Sequence, residues 1–176
     1  MTVRLDPADL VASITAAAAD LATGTAVDNE WVLPARDDGL PIEVAESLVI
    51  DAGDRNLVIR GEDDPTPIHV TAGATGVGIE LLGEVVGLRA LDVTVEGDEV
   101  TGVVVHGRTE ASLAGCSVRV SGRHVVGAAV RSDRRVVVVD LAVGEARSTV
   151  GDAIGLVLAG ATIRAHRLRI ESVVAA

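Results

Sequence analysis

Apolar residues return at a step of 25 positions through the second half of the chain, and few folds can satisfy that spacing. Val86, Ala111, Val136 and Ala161 form one file, and Leu88, Leu113, Val138 and Ile163 form a second. A looser file holds Val95, Val120, Val143 and Ile170. A fourth holds Ile79, Val103, Ala128 and Leu156, each preceded by a glycine (Gly78, Gly102, Gly127, Gly155). Inside the short segments "LDVTV", "CSVRV" and "DLAV" apolar residues alternate, the pattern of a strand with one buried face. A helical repeat would show spacings of three and four. A hairpin meander would show longer strands joined by two-residue turns. Three short strands per lap therefore predict a parallel β-solenoid, each strand pairing with its equivalent about 4.8 Å along the axis.

Composition agrees. Apolar residues make up 48% of the chain, yet there is one Trp and no Phe or Tyr. A core of Val, Leu, Ile and Ala suits stacked aliphatic files, which need no rings, and β-branched residues fit a pleated surface. The sequence thus predicts an all-β parallel β-helix of about five coils over residues 41–176. Residues 1–40 form a capping and entry segment of the same structural domain. "NLVIRG" (56–61) aligns with "DVTVEG" (92–97), Ile59 over Val95, which makes that coil longer by the loops "EDDPTP" (62–67) and "TAGAT" (71–75) around a strand at Ile68–Val70. All five prolines fall at or before Pro67, leaving the later ladders unbroken.

The segments "LVIDAGDRNLVIRGE", "TGVGIELLG" and "LRALDVTVEG" resemble the right-handed parallel β-helix, or pectin-lyase-like, superfamily. The resemblance implies a right-handed coil over roughly residues 40–172. It implies no single activity, because that superfamily holds lyases, hydrolases, epimerases and noncatalytic assemblies.

A solenoid end exposes core and strand edges unless it is covered. Asp6, Pro7 and Asp9, followed by Leu10, Ile14, Ala17 and Leu21 on one face and by Gly24, predict a capping helix over 7–22 with Asp6 as its N-cap. Trp31 is expected between that helix and the first coil. The other end reads "HRLRIESVVAA", where Val173 and Val174 are too few to hide a coil, so a second subunit or a protein partner is expected there. On the glycine-led strand the outward positions are Glu80, Val104, Ala129 and Val157. This file is apolar where water should lie, and such a stripe marks a contact surface.

Charge is uneven. Residues 1–100 hold 20 acids and 5 Arg, residues 101–176 hold 6 acids and 10 Arg, and the net charge is −11. That balance argues against a nucleic-acid partner. No run of 18 apolar residues spans a membrane, and "MTVRLDPADL" lacks a secretory h-region, so a cytoplasmic location is expected. Candidate chemistry is thin. Most charged side chains of the second half should pair one lap apart: Arg108 with Asp133, Glu110 with Arg135, Asp98 with Arg123, Glu99 with His124. His106 near Arg131 remains, without a carboxylate to complete a triad. The acidic trio Glu62, Asp63 and Asp64 is a weak calcium candidate, and no cofactor is implied. Cys116 should point inward with Leu91 and Val139.

The leading expectation is a noncatalytic scaffold or binding module. It would self-associate through Val104, Ala129 and Val157, through the end bearing Val173 and Val174, or through both. A small carbohydrate-active enzyme of lyase or epimerase type is the alternative, with His106 and Arg131 as its candidates and carbohydrate as its partner. An acidic DNA mimic is a further alternative.

Overall fold

A computed structural model describes residues 1–62 and 65–175. It is an all-β parallel solenoid of about seven turns with a single helix near the N-terminus. The turns exceed the five expected because strands at both ends add rungs that the regular 25-residue step does not announce. Every strand pair is parallel, and three flat faces result.

The first face stacks β1 (Thr2–Arg4), β2 (Asp28–Leu33), β5 (Asn56–Gly61) and the second half of β7 (Thr75–Arg89). The ends of β9 (Glu99–Ala114) and the starts of β12 (Arg135–Ser148) and β14 (Thr162–Ile170) complete it. The second face stacks β3 (Ile42–Val44), β6 (Thr66–Thr71), β8 (Leu91–Glu96), β10 (Ser117–Gly122) and the rest of β12. The end of β14 and the short β15 (Val173–Val174) close it. The third face stacks β4 (Leu48–Asp51), the starts of β7 and β9, β11 (His124–Ser132) and β13 (Ala153–Ala159).

The core is a set of aliphatic files running the length of the axis. Leu88, Leu113 and Val138 are in register and 0–1% exposed. The glycine-led file Ile79, Val103, Ala128, Leu156 is in register as expected. Two other files differ at the last lap. Val136 pairs with Ile163, not Ala161, and Val138 with Ala165, not Ile163. A longer turn at Thr149–Asp152 separates β12 from β13 and lengthens that lap, so a constant step drifts off register there. Val143 lies beside Val118 at the regular step of 25, not beside Val120, and Val120 lies beside Ala146 because the ladder shifts between Val118 and Arg119.

The early laps are longer than 25 residues on the first face, with steps of 28 from Trp31 to Ile59 and 29 from Ile59 to Leu88. Ile59 pairs with Leu88, while Val95 pairs with Val70, so "NLVIRG" belongs to the first face and "DVTVEG" to the second. All three faces carry the same alternating aliphatics, so local similarity could not assign a strand to its face.

The helix α1 (Leu10–Thr23) starts three residues later than expected. Asp9, not Asp6, caps it: its carboxylate accepts from the Ala12 N–H at 3.2 Å. Asp6 instead accepts from the Ala8 N–H at 2.9 Å, and its own N–H donates to Ser13 Oγ at 2.9 Å, which turns Pro7 and Ala8 out of the helix. Because β1 supplies a first rung only to the first face, α1 takes the place of that rung against β3 and β4. Leu10, Ile14, Ala17 and Leu21 are buried in one cluster with Leu5 and with Trp31, which is 0% exposed.

One residue makes each corner between the first and second faces. Ala90, Gly115, Asp140 and Arg167 hold positive φ of 50°, 61°, 53° and 53°. The left-handed region costs a residue with a Cβ about 1–2 kcal/mol, and only Gly115 escapes it. Its missing Cβ would meet nothing nearer than Ala90 N at 3.8 Å, so sterics beyond the backbone are absent. Gly115→Ala should therefore lower the unfolding free energy by about 1 kcal/mol, read by urea titration, and Ala90→Gly should move it the other way. Asp140 keeps its strained corner with an ion pair to Arg167, which holds the carboxyl below its usual range.

Candidate functional site

The outer surface of the third face differs from the other two. Its middle file reads Val49, Glu80, Val104, Ala129, Val157, in register rung by rung. The file on one side reads Val77, Thr101, Val126, Ile154, and on the other Leu82, His106, Arg131, Ala159. Val49 is 59% exposed and Ile154 45%. Val77, Leu82, Val104, Val126 and Val157 are half-buried by their strand neighbours alone. Ala129 is 5% exposed and forms the floor between its longer neighbours in register, Val104 and Val157. The glycines at 78, 102, 127 and 155 kink each strand. Two successive residues then face inward, and outward alternation resumes in phase on every rung. The result is a flat apolar panel four to five rungs tall, bounded by charge.

That boundary is made of ion pairs. Arg135 reaches Glu110 at 3.3 Å, one lap below, as the repeat predicts. Arg108 turns the other way, to Asp54 and Glu84, rather than to Asp133. Glu99 is in register with His124. His106 and Arg131 are neighbours across one rung and both are exposed. No ion pair or hydrogen bond within the described residues engages either side chain, so no acid–base relay passes through them.

The last rung presents its inward side chains to the surface: Ile163, Leu168, Ile170 and Val173 are 45%, 39%, 50% and 44% exposed. Val174, in register with Arg147, faces outward and is 43% exposed. The rung also carries Arg164, Arg167 and Arg169.

The second face holds a cluster that sequence reasoning missed. His69 Nδ1 lies 2.8 Å from Glu43 Oε2 and its Nε2 lies 3.9 Å from Glu96 Oε1. Beside it Arg119 reaches Asp92 at 3.1 Å, and Pro41, Pro67 and Thr94 complete a shallow depression. The repeat could have found it, since His69 is in register with Thr94 at the regular step, but the 36-residue alignment hid that register. Nε2 is shielded from solvent and lacks a hydrogen-bond partner. A second open depression is lined by Arg4, Asp6, Arg36, Asp37 and Asp38. There the Arg36 guanidinium, 2.6 Å away, holds the Asp38 carboxyl down at about 2.

Glu62 pairs with Arg4, and Asp63 and Asp64 lie outside the described residues. Among the described residues no three His, Cys, Asp or Glu side chains gather closely enough to hold a metal ion. No helix is long and apolar enough to cross a membrane.

Cys116 is 4% exposed and lies over Leu91 and beside Leu141, not Val139. Burial pushes its thiol up to about 11, against the ordinary 9.0, and backbone hydrogen bonds offset part of the rise. The folded chain should not react with an aromatic disulfide reagent at pH 8, and one thiol should appear on denaturation. Because the folded value lies above the unfolded one, this group's contribution to stability is constant below pH 9.0 and declines as pH rises toward 11.

Compared with protein-family models, with curated proteins and with solved structures, the chain matches none of them.

Proposed function

We propose that this chain is a noncatalytic β-helical binding module of pectin-lyase-like type whose third face associates with a second copy of itself. The observation that carries the reading is the apolar outer panel centred on Val104, Ala129 and Val157, on the most apolar of the three outer faces. Large exposed apolar areas rimmed by charge mark protein contacts. The end rung is the lesser surface for a second copy. Two β14 strands meeting there would bring Arg164, Arg167 and Arg169 against their own counterparts, and like charges opposed across strands are destabilising. The carbohydrate-active alternative has less support, because His106 and Arg131 lack a carboxylate, and in the His69 depression Asp92 is tied to Arg119 and the imidazole Nε2 is shielded from solvent. Sedimentation equilibrium of the wild-type chain against Val104→Glu with Val157→Glu tests the reading. A concentration-dependent dimer that the pair abolishes supports it, and a wild-type monomer at all concentrations rejects it.

A further inference from the structure

We propose that two copies pair through their third faces about a two-fold axis lying along the Val104 strand, with the solenoid axes antiparallel and Glu80 of each copy meeting Arg131 of the other. The proposal rests on the reading of the third face as the self-association surface and adds its geometry. It starts from where charge sits on an otherwise apolar panel. Glu80 lies one rung before Val104 in the middle file, and Arg131 lies one rung after, in the adjacent file. Among the described residues no ion pair within the chain engages either of them, whereas Glu84, Arg108, Glu110 and Arg135 at the panel's edge all have partners.

A face-to-face pair of identical sheets has two simple choices of in-plane two-fold axis, and the side chains separate them. An axis along the solenoid would set each rung on its own counterpart. Glu80 would then face Glu80 across a dry contact, which is costly. An axis along the strands inverts the order of rungs about Val104. Val104 then meets Val104, Val49 meets Val157, and Glu80 comes down beside Ala129 with Arg131 one outward position away, about 7 Å along the strand. An arginine side chain spans that distance, and the small, sunken Ala129 leaves room for the carboxylate above it. The axis yields this pair twice. Five rungs of about 4.8 Å and strands of about 20 Å give a contact near 1,000 Å² in total, the low end for a specific interface.

Charge reversal and cross-linking read this arrangement separately from dimerisation itself. Glu80→Arg alone and Arg131→Glu alone should each raise the dissociation constant at least tenfold, because each places like charges together. The double reversal should return it to within a few-fold of wild type. Val104→Cys should cross-link between copies with a short bis-maleimide, which reaches across the about 10 Å between facing sheets, since the axis brings the residue to its own copy. Val49→Cys alone should not, but Val49→Cys with Val157→Cys should. Cys116, buried, does not compete. Cross-linking by Val49→Cys alone, or a double reversal no better than either single change, overturns this geometry while leaving a dimer intact. A wild-type monomer overturns the proposed function along with it.

Discussion

Gly102→Val should unfold this protein under conditions where the wild type is fully native. Gly102 is the second member of a glycine file, with Gly78, Gly127 and Gly155, that lies inside the third face. A Cβ there would stand 2.5 Å from the Gly127 carbonyl oxygen of the next rung, 2.5 Å from Val120 Cγ2 and 2.7 Å from Val118 Cγ1. Neither obstacle can give way. The carbonyl belongs to a ladder that is paired on both sides, and Val120 and Val118 are 2% and 0% exposed. Overpacking a well-filled core costs about 1–3 kcal/mol, and moving the strand also breaks ladder hydrogen bonds worth about 1 kcal/mol each. The sum, about 3–5 kcal/mol, is a large share of the 5–15 kcal/mol that an ordinary domain has available. Thermal melting by circular dichroism should show a fall of about 6–20 °C, scaling from about 2–4 °C per kcal/mol at this size. The contrast with Gly115→Ala is the control: there the penalty is the backbone conformation alone. A Gly102→Val melt within two or three degrees of wild type would mean that the file is not stacked as described.

The glycine file also shows how much of the molecule can be read without coordinates. Ile79, Val103, Ala128 and Leu156 were legible because a glycine before each fixes the phase of its strand, and the stacking follows. The same is true of the Arg135–Glu110 pair, since one regular lap separates equivalent positions. Register failed wherever a lap changed length. The turn at Thr149–Asp152 moved Ile163 into the wrong file, and the bulge at Val118 and Arg119 set Val120 beside Ala146. The His69 cluster was invisible for a related reason: it spans three rungs, Glu43, His69 and Glu96, so its assembly depends on two registers being right at once. Side-chain direction within a correct register was also beyond the sequence. Arg108 lies one lap from Asp133 as the repeat predicts, but two carboxylates on the other side, Asp54 and Glu84, outcompete one. The outer panel was legible only as its middle file. Its flanking files, Val77 to Ile154 and Leu82 to Ala159, emerge only when all strands of the face are aligned.

Substituting Val104→Glu together with Val157→Glu should raise the dimer dissociation constant at least a thousandfold while the monomer keeps its fold. Both side chains point outward and are only half-buried within one chain, so in the monomer a carboxylate at either position reaches water. Surface changes of this kind shift folding stability by about 0.5 kcal/mol, and the melting temperature of dilute protein should scarcely move. In the pair the same groups are trapped. Each interface would hold four new carboxylates among Val49, Val126, Ala129 and their counterparts, with no arginine placed to meet them except Arg131, which Glu80 already requires. An unpaired charge buried at an interface costs several kcal/mol. About 4 kcal/mol is enough for the thousandfold change, at 1.4 kcal/mol per decade. Sedimentation equilibrium gives the constant, and circular dichroism on the same samples shows that the solenoid is intact. Dimers that persist in the double variant would remove the third face from consideration. Attention would then move to the end rung at Ile163, Leu168 and Ile170, where a cluster of aliphatic side chains is also exposed.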